Sequence, residues 1–201
     1  MSKEEEMLRE RKRLTTTGIT DYQFDALTST FVIPINGALY TLTLNSDEPL
    51  GAKEPQLLPA SEEGARMDCK ICHADPDLVS FTRNGNIWVT RRSTGIEVNL
   101  TRLNDASKKV TAGTPSFIVQ EEFNRYTGYW WQESTCAAEP FRILYEEIDE
   151  SEVDTICITD YRLEGQPDSF IYPRAGTQNE KFGVKVCGAP TNIEDRIQLA
   201  V

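Results

Sequence analysis

Residues 31–42 read Phe31-Val32-Ile33-Pro34-Ile35-Asn36-Gly37-Ala38-Leu39-Tyr40-Thr41-Leu42. Two apolar runs flank an Asn-Gly pair. Both central residues of a tight two-residue hairpin turn need φ > 0, a conformation that Asn and Gly adopt most readily. The stretch therefore predicts an antiparallel hairpin. The pattern returns 48 residues on, where Leu78-Val79-Ser80-Phe81-Thr82-Arg83 leads through Asn84-Gly85 into Asn86-Ile87-Trp88-Val89-Thr90. A third strand, at 97–101, follows Thr94-Gly95.

An antiparallel unit recurring every ~40–50 residues has the period of a β-propeller blade. Further strands are predicted at 116–119, 128–131, 141–145 and 155–158. Helical periodicity is absent after residue 14. The expected class is all-β: a partial propeller of about four blades over residues 15–201, preceded by a charged helical tail over residues 1–14. Propellers close with ~4–8 blades. If the parent ring is larger, this arc has open strand edges, which tend to pair with other chains.

The chain has 201 residues, 39% hydrophobic and 26% charged, enough for one domain with a sizeable core. No run approaches the ~20 apolar residues of a membrane helix. The start, MSKEEEMLRERKRL, has no apolar core and does not fit a secretory signal. Asn99-Leu100-Thr101 fits a glycosylation sequon, which has no use without export. The net charge of −11 disfavours nucleic acid and favours cationic ligands, the amino terminus of a peptide among them. Cys69, Cys72, Cys136, Cys157 and Cys187 make an odd number, as expected of reduced thiols in the cytosol.

Cys69-Lys70-Ile71-Cys72-His73 matches the C-x-x-C-H haem-attachment motif. The run into Ala74-Asp75-Pro76-Asp77 reads instead as a turn opening the next strand. A structural zinc needs about four ligands, and three are offered. Neither metal nor cofactor is expected, and the thiols read as small buried groups. No G-x-S-x-G nucleophile elbow occurs, and the single histidine, His73, has no evident serine and acid to complete a triad. No catalytic residue is assigned.

Residues 120–131, QEEFNRYTGYWW, place two adjacent carboxylates between an apolar and an aromatic run. Such an insert can form a helical turn at a rim or in a tunnel. Paired carboxylates suit an ammonium, with its three donors and positive charge. An ordinary acidic surface turn has the same composition. The run Glu146-Glu147-Ile148-Asp149-Glu150-Ser151-Glu152 reads as a solvated hairpin connection. A lone arginine such as Arg66 is by base rate a surface residue.

The string QEEFNRYTGYWW closely resembles the glutamate-helix region of dipeptidyl peptidases 8 and 9, the cytosolic members of the dipeptidyl peptidase IV family in the prolyl oligopeptidase clan. FRILYEEIDESEV (141–153), DSFIYPRAGTQNEK (168–181), ARMDCKICHADPDLVSF (65–81), NGNIWV (84–89) and, more weakly, GITDYQF (18–24) resemble the same family. The likeness covers roughly residues 9–187, fades after Gly183, and departs from the family pattern over residues 132–139.

The resemblance implies a β-propeller, often eight-bladed, followed by an α/β-hydrolase domain with a Ser-Asp-His triad. It also implies release of Xaa-Pro or Xaa-Ala dipeptides from peptide amino termini, a cytoplasmic location and a homodimer. Glu121 and Glu122 would bind the substrate ammonium, and Arg66 the backbone carbonyl of the first substrate residue. The hydrolase domain is absent from these residues, so the chain by itself is expected to be inactive. It would act as the recognition part of the peptidase, partnered by that domain, or as a non-catalytic peptide-binding or dimerisation module.

Overall fold

The computed structural model describes residues 3–15, 18–44, 53–103, 109–133, 141–159 and 167–189. Cys136 lies outside them. After a short helix α1 (Lys3–Arg11), the first sheet takes strands β1 (Gln23–Asp25), β2 (Thr30–Ile35), β3 (Ala38–Thr43) and β4 (Gln56–Leu58) in sequential antiparallel order. The second repeats that order with β5 (Met67–Ile71), β6 (Leu78–Arg83), β7 (Asn86–Arg91) and β8 (Glu97–Asn99).

Both Asn-Gly turns form as the sequence predicts. Asn36 and Gly37 have φ of 50° and 75°, and Asn84 and Gly85 have φ of 50° and 69°. Two successive left-handed residues give the turn the twist of the strands it joins.

The third sheet is less regular. Its central strand β11 (Phe141–Asp149) pairs on one edge with the long β14 (Lys181–Ala189). The other edge is shared by β9 (Val110–Ala112), against residues 147–149, and β10 (Tyr129–Trp131), against residues 143–145. A separate two-stranded ribbon, β12 (Thr155–Ile158) with β13 (Asp168–Ile171), is inserted between β11 and β14. The described residues thus form four antiparallel sheets without closing a barrel, the architecture of a partial propeller.

The second sheet is sandwiched, which is why all six residues of β6 are buried. Successive side chains of a strand point to opposite faces. Val79, Phe81 and Trp88 join Val32, Leu39 and Leu58 of the first sheet in one core. Leu78, Ile87 and Val89 join Tyr129, Phe141 and Ile143 of the third sheet in another. Each fully buried aliphatic or aromatic side chain contributes about 1.5–3 kcal/mol by leaving water.

The same alternation separates the two cysteines of CKICH. Cys69 belongs to the core shared with the first sheet and Cys72 to the core shared with the third. His73 is exposed. The three therefore do not converge on one porphyrin or ion, and burial pushes the Cys69 thiol up to about 12.

Two local expectations are corrected. Residues 116–119 are not a strand: Ser116 caps a helix, α2 (Phe117–Phe123). The acidic run at 146–152 is only half connection, because its first four residues complete β11. Lys185 pairs with Glu147 at 2.6 Å and Arg125 with Glu146 at 2.7 Å, so those carboxylates sit within the sheet.

Candidate functional site

α2 is carried on an interruption of one sheet edge. The chain leaves that edge after β9 and returns to it at β10. The neck is closed by backbone hydrogen bonds: Gly113 N donates to Glu146 O at 2.8 Å, Glu146 N to Gly128 O at 2.8 Å, and Gly128 N to Gly113 O at 3.2 Å. Only residues without a β-carbon allow this approach. A β-carbon on Gly128 would meet the Gly113 carbonyl at 2.8 Å.

Ser116 opens the helix. Its Oγ accepts from Val119 N and donates to Glu180 Oε1 at 2.8 Å. Asn124, in the left-handed conformation at φ 51°, closes it and donates its backbone N–H to Val119 O. An N-cap of this kind satisfies an otherwise orphaned donor, and Asn tolerates the left-handed cap at the other end.

Gln120 is the buried anchor of α2. Its Nε2 donates to Pro115 O at 2.7 Å, and its Oε1 accepts from Arg11 Nη1 at 2.9 Å. Successive helical residues turn by about 100°. Burying Gln120 therefore rotates Glu121 and Glu122 outward, and both are exposed. Glu121 lines a cavity of about 280 Å3 together with Phe117, Phe170 and, from α1, Glu10 and Arg11. A larger cavity of about 640 Å3 lies alongside, walled by Met67 and Asp68 of β5, Gln120, Tyr126, the β12–β13 ribbon and α1.

A polar cluster anchors the far end of the α2 segment to β5. Thr127 Oγ1 donates to Asp68 Oδ2 at 2.7 Å and accepts from Lys70 Nζ, which also pairs with Asp68 Oδ2 at 2.6 Å. Lys70 Nζ stands 3.5 Å from the centroid of the buried Tyr129 ring. The Tyr129 hydroxyl donates to Asp68 O. Burial pushes the Asp68 carboxyl up and the Lys70 ammonium down, each effect partly offset by the other's charge. Asp68 sits at φ 49°, where β5 bulges against β6. Nothing in the local sequence announces that bulge, so the role of Asp68 was not legible there.

Arg66 is not a surface residue. Its side chain is 2% exposed, and its guanidinium donates to Leu58 O at 2.7 Å, Pro59 O at 3.0 Å and Glu97 Oε1 at 3.3 Å. Burial lowers its pKa, an effect that Glu97 partly offsets. The other oxygen of Glu97 accepts from Arg83 Nη1 at 2.8 Å, and Arg83 lies 4.0 Å from the Trp88 ring. Arg66 lines neither cavity. Glu121 and Glu122 are neighbours on α2, where Glu121 lines the smaller cavity and Glu122 lines neither, whereas Arg66 belongs to a buried ion triad within and between the first two sheets.

Comparison with known proteins agrees with this architecture. The family described as Dipeptidyl peptidase IV (DPP IV) N-terminal region matches residues 27–200. The match continues past Gly183, where the sequence likeness was expected to fade. Dipeptidyl peptidase 8 of Homo sapiens is 37% identical over 212 aligned residues, 98% of this chain and 23% of that protein. Dipeptidyl peptidase 8 of Mus musculus is 38% identical over 200, 92% of this chain and 22% of that protein. The chain thus spans less than a quarter of the length of these relatives. With sheets of propeller type and a family match over most of its residues, the chain belongs to the dipeptidyl peptidase IV family and corresponds to part of its N-terminal region.

Proposed function

We propose that this chain is the amino-terminus-binding part of a serine-type dipeptidyl peptidase, in which Glu121 and Glu122 hold the ammonium of a peptide. The observation that carries this reading is the position of Glu121 on a capped, anchored helix at the wall of a cavity, with a cationic side chain already beside it. A rigidly held pair of carboxylates acts as a ruler. Fixing the charged end of a peptide sets the distance to the bond that a hydrolase domain would cut. Selection for dipeptide release then follows from one contact.

Arg66 enters this proposal on the resemblance alone. To meet a substrate carbonyl it must give up Glu97 and two backbone carbonyls. The proposed location is the cytoplasm, and the proposed partner is the hydrolase domain of the same enzyme. Among the described residues, no helix is long and apolar enough to cross a membrane.

The test is kinetic, in a protein that carries both this region and the hydrolase domain. Glu121→Gln or Glu122→Gln should lower kcat/KM about tenfold to a hundredfold, the loss of a charged hydrogen bond in a partly dry site. Acetylating the substrate should have a comparable effect on the unaltered enzyme and little further effect on the variants. Unchanged kinetics in both variants reject the ammonium role.

A second reading, a non-catalytic module that binds peptides or pairs with another chain, is favoured by one feature. The outer face of the third sheet exposes Leu144, Phe182, Val184 and Val186. Self-association in solution without measurable affinity for peptides would select a pairing module.

A further inference from the structure

The charged N-terminal segment is not a free tail. Met7 and Leu8 of α1 form part of the wall of the larger cavity. Arg11, in the last turn, reaches α2. Besides its hydrogen bond to Gln120, its Cζ stands 4.9 Å from the centroid of the Phe117 ring. The Arg11 carbonyl accepts from Tyr126 Oη at 3.3 Å, and Lys12 Nζ lies 5.2 Å from the Tyr126 ring. All of these contacts join residues more than a hundred positions apart in sequence.

The charges are complementary. Arg9, Arg11, Lys12 and Arg13 make the end of α1 cationic. Burial lowers the pKa of Arg11, an effect partly offset by the carboxylates that act on it from other elements, Glu121 on α2 and Glu150 just after β11. A guanidinium set against an aromatic face and hydrogen-bonded to a buried amide is fixed in place. Arg11 and Glu121 line the same small cavity, so a cation bound at Glu121 would lie beside the guanidinium and be repelled by it.

We propose that α1 is an intramolecular occupant of the cation site on α2: Arg11 rests beside Glu121 and Gln120 until a peptide amino terminus displaces it. This rests on the ammonium reading of Glu121 given above. The device is suited to release. A nine-residue helix is shorter than the ~12–15 residues at which isolated helices become even marginally stable in water. Once Arg11 leaves, α1 loses its hydrogen bond to Gln120 and its contact with the Phe117 ring. A tethered occupant lowers the apparent affinity of a ligand in proportion to the fraction of sites left open.

The test uses the full 201-residue chain, titrated with a fluorescent Ala-Pro peptide bearing a free amino terminus and with its N-acetyl twin. Arg11→Ala should bind the free-amino probe about threefold tighter or better and leave the acetylated probe unchanged. Arg11→Lys, which keeps the charge, should give a smaller gain. In the unaltered chain, saturating free-amino probe should accelerate amide hydrogen exchange across α1, a readout that needs no variant to fold. Unchanged affinity in Arg11→Ala, with probe binding weakened by Glu121→Gln, overturns the occupancy and leaves the ammonium site standing. No effect of Glu121→Gln on either probe overturns the ammonium reading and the occupancy with it. Tighter binding of both probes by Arg11→Ala overturns displacement by charge.

Discussion

Gly128 stands against Gly113 so closely that a β-carbon on Gly128 would lie 2.8 Å from the Gly113 carbonyl carbon and oxygen. The pair closes the neck from which the α2 segment projects, and the backbone of the neighbouring strand bonds to both residues. The obstacle is backbone, which cannot rotate aside as a flexible side chain can. Gly128→Ala should therefore shift the neck and destabilise the fold by about 1–3 kcal/mol, the usual cost of overpacking. Urea unfolding of the two chains measures this directly. A smaller peptide affinity accompanying the loss would tie neck geometry to the placement of Glu121.

Glu97 compensates two buried guanidinium groups at once, Arg66 and Arg83, and also accepts from Ser61 N at 2.8 Å and Ser61 Oγ at 2.6 Å. Its side chain is fully buried. Breaking a buried pair by removing one partner leaves an uncompensated charge and costs about 3–5 kcal/mol. Glu97→Gln should approach or exceed that figure because two cations lose their counter-charge. Thermal unfolding by circular dichroism would show the drop, and a change below about 1 kcal/mol, small beside that figure, would mean that water reaches the triad.

Acid sensitivity should track Asp77. Burial alone would raise its carboxyl, but hydrogen bonds from Ser93 N at 2.9 Å, Ser93 Oγ at 2.6 Å and Arg91 Nη1 at 3.1 Å outweigh it and hold it below the ordinary carboxylate value. A carboxyl depressed in the folded state contributes stability above its unfolded pKa of about 3.9. That contribution disappears as pH falls through the lower folded value. Asp77→Asn should lower stability near neutrality and flatten its fall on acidification below about pH 4. Asp68 acts in the opposite sense, since its raised carboxyl disfavours folding once ionised. Guanidinium melts at several pH values for Asp77→Asn and Asp68→Asn would separate the two.

The third sheet offers an apolar outer face. Trp130, Leu144 and Val186 stand in one cross-strand row, and Val184 and Phe182 continue it along β14. Val184 and Val186 are each 60% exposed and Phe182 is 69% exposed. Contiguous apolar surface of this kind marks an interaction face or an aggregation liability. The 201-residue chain should self-associate at micromolar concentration and bind a hydrophobic dye. Val184→Thr with Val186→Thr keeps the β-branched shape and should weaken both effects. Sedimentation velocity would detect the shift, and a monomeric parent chain would contradict the expectation.

The hairpins were legible in the sequence because a turn is a local decision. Asn36-Gly37 and Asn84-Gly85 need only their own left-handed dihedrals, and the alternation of Val79, Phe81 and Trp88 with Leu78, Ile87 and Val89 needs only the pleat. The carboxylate pair Glu121-Glu122 was also visible as a string. A helical turn around the pair was expected too, but not its start: residues 116–119 carry strand-like side chains, and the helix begins there because Ser116 caps it, Gln120 anchors it and Gly113 meets Gly128 at its base. Arg66 looked like a surface residue for the same reason. Its carboxylate partner, Glu97, lies 31 positions away in the sequence, and the contact of Arg11 with Gln120 spans 109. Local dihedral preference and side-chain alternation are properties of neighbouring residues, and the sequence by itself determined them. Burial of a charge beside a distant counter-charge exists only once the sheets have stacked, so the tertiary structure alone decided it.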